Sequence, residues 1–273
     1  MKKMKSLVRD LLPHAVVRIL KQVYCDDIRY EGEFDSWKEA STLCTGYDSE
    51  DILAKVLAST LKVKRGEAVF ERDSVLFDKT EYVWPVLTGL LWAATRNNGK
   101  LNVLDFGGAL GSSYFQNRNL FKSLQNVRWN VVEQDHYVDA GRAHIQDDVL
   151  RFYKSIDECL TENIPNVILL SGVLQYLKSP LDIIKQLPDI KASTLIIDRT
   201  SFSICNKDKL MIQRVPASIY KATYPMWVFS EPAFMEQLLT NWNLVASTPS
   251  PEGSVISANG FRFLFHGLLL ESH

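Results

Sequence analysis

A glycine-rich run that begins with a carboxylate is the part of the sequence whose residue types and spacing best fit ligand chemistry. Its residues are Asp105, Phe106, Gly107, Gly108 and Gly111. An apolar strand pattern at Asn102–Leu104 precedes the run, and a helical pattern follows it. Glycines let a ligand lie against bare backbone, and amide groups at a helix start favour polar or anionic ligand atoms. Because ligands bind at the carboxyl ends of strands in an open α/β sheet, the run predicts a site for a nucleoside-like ligand.

Two common nucleotide-binding motifs do not fit this run. A phosphate-binding P-loop requires a lysine directly after its last glycine, and none follows Gly111. A dinucleotide fingerprint requires G-x-G-x-x-G, but counted from Gly107 its second and third glycine positions are occupied by Ala109 and Ser112. None of the tyrosines begins the Tyr-x-x-x-Lys pair of short-chain dehydrogenases. These observations disfavour a kinase or ATPase and make a nicotinamide-dependent oxidoreductase the second choice.

A second carboxylate stands where a neighbouring strand should end. Glu133 follows the β-rich run Trp129–Val132 and lies about 20 residues beyond Gly111, the spacing at which an acidic residue in such folds accepts hydrogen bonds from ribose hydroxyls. Two adjacent hydroxyl donors pair well with one carboxylate. We therefore assign Glu133 and the adjoining Gln134 to the same ligand. The alternative is that Asp105 caps a helix and Glu133 is an ordinary charge at a strand end.

The pattern Asp-x-Gly-x-x-x-Gly formed by Asp105, Gly107 and Gly111 resembles the first motif of the Rossmann-like, class I S-adenosylmethionine-dependent methyltransferases. The resemblance implies S-adenosylmethionine as cofactor, with the acidic residue facing its cationic methionine end. A carboxylate suits a ligand that carries an ammonium and a sulfonium, whereas it would repel the pyrophosphate of a dinucleotide. Many members of the family have a glycine where this chain has Ala109.

A further match to the same family follows the predicted strand at residues 167–170. The resemblance implies that Ser171 lies beneath the methionine moiety of the cofactor and that Gln175 and Tyr176 border the substrate. For Ser171 and Tyr176 a purely structural role is an equal alternative.

Three phrases, at residues 30–40, 46–48 and 105–111, resemble a bacterial family of methyltransferases often found among surface-polysaccharide biosynthesis genes. This resemblance covers most of the chain. It implies that the acceptor is a sugar or a polysaccharide-biosynthesis intermediate, either a small molecule or a lipid-linked sugar. A fold does not define an acceptor, so this expectation depends on the three phrases alone.

The need for a catalytic base depends on the acceptor, because a hydroxyl must lose its proton during methyl transfer and an amine or carboxylate need not. The candidates for a base are His136, Tyr176 and Asp198, and we commit to none of them. His136 could instead be a loop histidine, and Asp198 could pair with Arg199. The histidines show no metal-ligand spacing, so no metal is predicted. Aromatic residues at Tyr220, Tyr224, Trp227 and Phe229 predict either a stacking wall for a sugar or core packing.

The elements that position these residues follow from an alternation of short β-rich runs with helical lengths beyond residue 100. This alternation predicts an α/β fold with a mostly parallel sheet. The runs are residues 102–104, 129–132, 150–153, 167–170, 194–197, 244–247 and 261–265. Prolines and glycines separate the last two runs, so we predict a final hairpin that gives the sheet an antiparallel strand. Residues 1–80 are predicted as a helical extension and residues 81–273 as the methyltransferase domain.

The composition of the 273 residues sets limits on partners and location. Lysine and arginine total 31 against 32 acidic residues, so no chain-wide attraction to nucleic acid is expected. The four cysteines have no C-x-x-C spacing, which favours a cytoplasmic protein. We find no export signal and no apolar run long enough to span a membrane. Basic residues dominate positions 1–23, and we favour a helix docked on the domain over peripheral membrane contact.

Three classes of function compete at this point. The first is a methyltransferase that acts on a sugar or sugar-linked intermediate, and the second is an NAD(P)-dependent sugar-nucleotide oxidoreductase. The third is a non-catalytic, methyltransferase-like binding module. A reversed final strand would favour the first class, and an all-parallel sheet would favour the second.

Overall fold

The computed structural model describes residues 28–45, 50–72, 74–216 and 222–273. Its strands are β1 (Arg29–Phe34), β2 (Phe70–Arg72), β3 (Val75–Phe77), β4 (Lys100–Phe106), β5 (Asn126–Val132), β6 (Leu150–Tyr153), β7 (Val167–Ser171), β8 (Thr194–Ser203), β9 (Lys209–Val215), β10 (Ala222–Ser230), β11 (Trp242–Ile256) and β12 (Arg262–Ser272). Its α-helices are α1 (Trp37–Thr42), α2 (Glu50–Lys64), α3 (Trp84–Arg96), α4 (Ser112–Asn117), α5 (Asp135–Ala140), α6 (Ile156–Glu162), α7 (Pro180–Gln186) and α8 (Glu231–Leu238).

The central sheet has the strand order β6-β5-β4-β7-β8-β12-β11. The strands from β6 to β8 pair in parallel, whereas β12 runs antiparallel to both β8 and β11. Each run predicted as a strand corresponds to one of these strands. The predicted α/β class, the mostly parallel sheet and the final antiparallel hairpin are therefore confirmed.

Helices cover both faces of this sheet, which explains why its middle strands read as continuous apolar runs. Leu104 and Val103 are adjacent on β4 and belong to different cores, because successive side chains of a strand point to opposite faces. One core includes apolar residues of α2 and α3, and the other includes residues of α6, α7 and α8. Packing on both faces fixes where the strands end, and hence where their terminal residues lie.

The segment before residue 80 is not purely helical, which corrects the sequence prediction. It contains α1 and α2, but β1 joins the sheet beside β9, and β2 and β3 form a separate hairpin. The pattern of β1 was not recognised as a strand because charged residues flank Tyr30. Tyr30 is buried and packs edge-on against Phe263, with ring centroids 5.1 Å apart. Phe70 and Phe77 stack across the β2–β3 hairpin at 5.7 Å. The domain boundary at residue 80 stays a prediction.

Strands β9 and β10 form an antiparallel hairpin between β8 and α8 that the sequence analysis did not anticipate. Pro225 lies inside β10, and a proline usually argues against a strand. Pro225 is tolerated because β10 pairs with β8 only at Phe229 and Ser230. Around Pro225, β10 is paired with β9 and not with β8, so the missing amide donor need not serve a second strand. Together β1, β9 and β10 continue the sheet beyond the carboxyl end of β7.

Strand β8 bends at Arg199, where it leaves β7 and continues beside β10. Arg199 has φ +49°, an uncommon left-handed conformation for a side-chain-bearing residue. On the neighbouring strand β12, the register shifts around Gly267. A Cβ atom at Gly267 would lie 2.9 Å from the carbonyl oxygen of Ile197 and 2.8 Å from Thr248 Oγ1. The glycine thus allows the hairpin to follow the bend in β8.

We expect Gly267→Ala to lower the free energy of unfolding by about 1 to 3 kcal/mol, because a backbone carbonyl cannot move away from the added methyl without shifting β8. Urea denaturation measures the effect. Asn243→Ala, at an exposed position of the same hairpin, is the control and should change stability by less than about 0.5 kcal/mol. Equal stability of the two variants would contradict this account of the bend.

Three parts of the sequence analysis concern residues outside the described ranges, namely the basic segment 1–23, the phrase at residues 46–48 and Tyr220. Within the described ranges, no helix combines the length and apolarity that crossing a bilayer requires.

Candidate active site

The glycine-rich run forms a tight turn between β4 and α4. Gly107, Ala109 and Gly111 all have positive φ angles, of +74°, +48° and +86°. The amide of Gly107 donates to the carbonyl of Val132 at 2.9 Å, which ties the turn to the end of β5. A Cβ atom at Gly107 would lie 2.3 Å from Val173, and one at Gly108 would lie 2.5 Å from the carboxyl carbon of Asp105. The turn therefore presents bare, partly exposed backbone directly above that carboxyl group.

Asp105 is the buried carboxylate at the end of β4, with 1% of its surface exposed. One carboxylate oxygen accepts a hydrogen bond of 2.8 Å from the indole Nε1 of Trp129 on β5. Burial raises the pKa of Asp105 to about 7, although the Trp129 hydrogen bond opposes this rise. The charge of Glu133 raises this pKa further and that of Arg199 lowers it. A cationic ligand beside the turn would favour the ionised form of Asp105.

Glu133 follows β5 directly, as predicted, and its charge reaches Asp105. Its Oε2 accepts a 2.7 Å hydrogen bond from the amide of Gln134 at the start of α5. Gln134 is exposed, and its assignment to the ligand stays a prediction. His136 lies one turn further on in α5, and among the described residues its buried Nε2 has no hydrogen-bond partner. The structure thus places the two predicted acids at the carboxyl ends of neighbouring strands.

Ser171 ends β7 and pairs with Asp198 in the middle of β8, where the ladder between these two strands stops. The Ser171 hydroxyl donates to Asp198 Oδ2 at 2.8 Å, and Arg199 Nε lies 3.4 Å from the same oxygen. Burial raises the pKa of Asp198, whereas Arg199 and Ser171 lower it and the charge of Glu252 raises it. The pairing of Asp198 with Arg199, which the sequence analysis gave as the alternative to a catalytic role, is present in the structure. It also joins two candidates that the sequence analysis had treated separately.

Tyr176 belongs to a short 3₁₀ turn, Leu174–Tyr176, above the end of β7. Its hydroxyl donates to Gln213 Oε1 at 2.8 Å, and Gln213 Nε2 donates to the hydroxyl of Tyr224 at 3.3 Å. The two tyrosine rings meet edge-on, with centroids 5.1 Å apart. Gln175, in the same turn, donates to the carbonyl of Arg199 at 2.9 Å. The residues carried over from the family motif therefore contact β8, β9 and β10.

The aromatic residues before α8 divide between the two interpretations that the sequence left open. Phe229 is buried and packs against Phe234 with centroids 5.1 Å apart, so it belongs to the core. Trp227 stacks on Trp37 at 6.1 Å. Tyr224 is half-buried beside Tyr176 and is the described aromatic residue that could border a ligand.

Several residues of the site were missed by the sequence analysis. They are Trp129, Gln213, Glu252 and Glu71, of which Glu71 accepts a hydrogen bond from the Ser112 hydroxyl at the start of α4. Trp129 is the one with a readable signal, because an indole three residues before the predicted end of β5 faces the end of β4. The other three lie on strands, or in the case of Glu71 a hairpin, that the sequence did not predict to reach the site. Within the described residues, no group of three or more histidine, cysteine or acidic side chains is arranged to hold a metal ion.

The chain matches no family model and no curated protein. Solved structures with a similar fold include the N-terminal domain of EvdMO1 in the presence of SAH and D-fucose, with a TM-score of 0.46 and 11% identity over 82% of this chain and 98% of that one. An S-adenosylmethionine-dependent methyltransferase from Clostridium acetobutylicum has a TM-score of 0.44 and 9% identity, covering 80% and 98%. The glycopeptide N-methyltransferase MtfA complexed with SAM has a TM-score of 0.43 and 11% identity, over 68% of this chain and 94% of that one.

The raised pKa of Asp105 predicts a pH-dependent stability. The folded state holds the proton up to about pH 7, whereas the unfolded chain releases it near pH 4, so folding loses stability as the pH rises between these values. Relative to Asp105→Asn, we expect the native protein to lose roughly 2 to 3 kcal/mol of unfolding free energy between about pH 5 and pH 8. Urea denaturation at several pH values measures this difference, with the exposed Asp189→Asn as control. If the unfolding free energies of the native protein and Asp105→Asn changed equally with pH, the raised pKa of Asp105 would be contradicted.

Ala109 provides a separate test of the turn. The left-handed conformation of Ala109 costs a residue with a Cβ about 1 to 2 kcal/mol, and a glycine would remove this cost. The glycine would also raise the entropy of the unfolded chain, which offsets part of the gain. We expect Ala109→Gly to raise the free energy of unfolding by up to about 1 kcal/mol. The control, Ala54→Gly at an exposed position inside α2, should lower it by about 1 kcal/mol. Losses of similar size in both variants would show that position 109 does not require a positive φ.

Proposed function

We propose that this chain is an S-adenosylmethionine-dependent methyltransferase that acts on a small acceptor, a sugar or polysaccharide-biosynthesis intermediate. The observation that carries the proposal is the buried carboxylate of Asp105 behind the glycine turn, in a sheet whose last strand in the sequence, β12, is antiparallel. An all-parallel sheet was the arrangement expected for a dehydrogenase. The proposed location is the cytoplasm.

The residues of the site suit this cofactor chemically. Gly108 packs directly on the Asp105 carboxyl group and its backbone is partly exposed, so an ammonium or sulfonium bound on the turn would come near this carboxylate and stabilise its charged form. Glu133 is half-exposed at the next strand end, where it can accept hydrogen bonds from ribose hydroxyls. Two acids at one turn would repel the pyrophosphate of a dinucleotide. When bound, the cofactor supplies an electrophilic methyl group, and the protein's task is to align an acceptor with it.

The finer proposal of a sugar acceptor is supported by the half-buried pair Tyr176 and Tyr224 beside the site. Tyrosine offers an apolar face for the ring of a sugar and a hydroxyl for its polar groups. The sequence phrases at residues 30–40, 46–48 and 105–111 support the same class of acceptor. Whether the sugar is free or lipid-linked does not affect the chemistry of transfer.

We expect S-adenosylhomocysteine to bind the full chain in isothermal titration and NADH not to bind. Glu133→Ala should weaken the binding of S-adenosylhomocysteine by roughly 10- to 100-fold, since hydrogen bonds to a charged group contribute about 1.5 to 3 kcal/mol. Asp148→Ala removes a fully exposed carboxylate from the loop before β6 and should leave the affinity unchanged. Binding of NADH alone would replace the proposal with an oxidoreductase. Binding of neither ligand would favour a non-catalytic module.

A further inference from the structure

We infer that Asp198 is the catalytic base of the proposed methyl transfer and that the acceptor atom is a hydroxyl oxygen. The inference rests on the proposed function and adds to it the proton acceptor and the chemical class of the acceptor group. Ser171 and Arg199 act on the carboxylate as positioning residues. Three features of the structure lead to this assignment: the bend in β8, the fixed orientation of the carboxylate, and its surroundings.

The bend places Asp198 directly before a strained residue, Arg199. Arg199 adopts its left-handed conformation within a ten-residue strand, and Gly267 accommodates the distortion on β12. Left-handed conformations of ordinary residues cost about 1 to 3 kcal/mol and cluster at functional sites. Strand β7 ends at Ser171, opposite Asp198, and β8 continues past this point to pair with β10.

The carboxylate of Asp198 accepts hydrogen bonds from the Ser171 hydroxyl and from the backbone amide of Arg199, and it lies beside the Arg199 guanidinium. Oδ2 accepts from Ser171 Oγ at 2.8 Å and lies 3.4 Å from Arg199 Nε, while Arg199 Nη2 donates to Ser171 Oγ at 3.3 Å. These three groups form a closed triangle of side chains from two strands. Gln175 secures the triangle from above, because its amide donates to the carbonyl of Arg199. A carboxylate fixed in this way keeps one orientation while a proton arrives.

The surroundings of Asp198 favour a base. Its side chain is 4% exposed, and loss of solvation makes a carboxylate more basic than it is in water. The charged groups that act on it are Arg199, from its own strand, and Glu252, from β11. Next to the triangle, a Cβ atom at Gly172 would lie 3.2 Å from Arg199 Nη2, so the guanidinium packs on the bare backbone of this glycine. Ser171, Gly172 and Arg199 are each partly exposed, so the triangle borders solvent on this side.

The other two candidates are less suited to accept a proton. The hydroxyl proton of Tyr176 is already directed at Gln213, and that bond links the turn to β9. His136 lies in α5 next to Glu133, on the side of the site assigned to the nucleoside, with its ring centroid 4.9 Å from that of Tyr137. Asp198 lies on the opposite side of β4, beyond β7.

The chemical step balances with groups already named. A bond forms between the acceptor oxygen and the methyl carbon, and the bond between that carbon and sulfur breaks. The bonding electron pair goes to sulfur, which becomes a neutral thioether. The hydroxyl proton passes to the Asp198 carboxylate and then to solvent. An amine acceptor would not need this transfer, which is why a fixed, buried carboxylate indicates a hydroxyl.

The test uses the full chain with D-fucose, D-glucose, UDP-glucose and UDP-N-acetylglucosamine as acceptor probes. Release of S-adenosylhomocysteine and the mass of the sugar product report transfer, and titration of each sugar into cofactor-free protein reports acceptor binding. We expect at least one sugar to be O-methylated, with kcat reduced about 10²- to 10⁴-fold by Asp198→Asn. Asp198→Ala should weaken binding of that sugar about tenfold, and Asp189→Asn is the control for both measurements. The affinity for S-adenosylhomocysteine is measured in both Asp198 variants, and a larger loss of affinity for it than for the sugar would contradict a role of Asp198 toward the acceptor.

A pH profile separates a base from a structural residue. In the native protein, kcat should fall at low pH as Asp198 takes up a proton, and Ser171→Ala should shift the midpoint upward because a hydrogen bond to the charged form is lost. Unchanged kcat in Asp198→Asn, or no transfer to any of the four sugars while S-adenosylhomocysteine still binds, would overturn the inference. If the native protein does not bind S-adenosylhomocysteine, the proposed function on which the inference rests is overturned instead.

Discussion

The hydrogen bond from the Trp129 indole to the buried carboxylate of Asp105 is the contact on which the proposed cofactor site depends. A buried carboxylate without a partner costs several kcal/mol, so the end of β4 needs a donor that is itself dry and fixed. Trp129 meets this need because the sheet register places it on the same face, diagonally across from Asp105. The glycine turn can then close over the carboxyl group without a side chain of its own. The position of Trp129, the burial of the Asp105 carboxylate and the closure of the glycine turn therefore depend on one another.

A second constraint joins the central sheet to the strands that cover its carboxyl edge. Strand β8 pairs with β7 through Asp198 and with β10 at Phe202 and Ser203, so one strand belongs to both parts of the sheet. The change of partner requires the bend at Arg199, and the bend requires a glycine on β12. The position of the tyrosine pair is in turn fixed by β9 and β10. The acceptor side of the site therefore depends on backbone geometry more than on apolar packing.

The sequence was sufficient for the parts of the fold that follow from local pattern. Apolar runs such as Val167–Leu170 are legible because both faces of a parallel sheet are covered, and the glycine turn is legible because positive φ angles restrict residue type. Strands β1, β9 and β10 were missed because they are stabilised by pairing with distant segments, and their charged residues and Pro225 mask the alternation. The hydrogen bond between Ser171 and Asp198 was missed for a related reason. It depends on the register between two strands, which no spacing within either strand encodes.

Arg199 connects the two halves of the site electrically. Its charge lowers the pKa of both Asp105 and Asp198, so a single guanidinium favours the ionised form of the acid proposed to face the cofactor and of the acid proposed to face the acceptor. Burial acts in the opposite direction on both acids. A cation bound beside Asp105 would add to the effect of Arg199 on that acid. One arginine at the bend of β8 therefore acts on the charge state of both acids, although they lie on different strands.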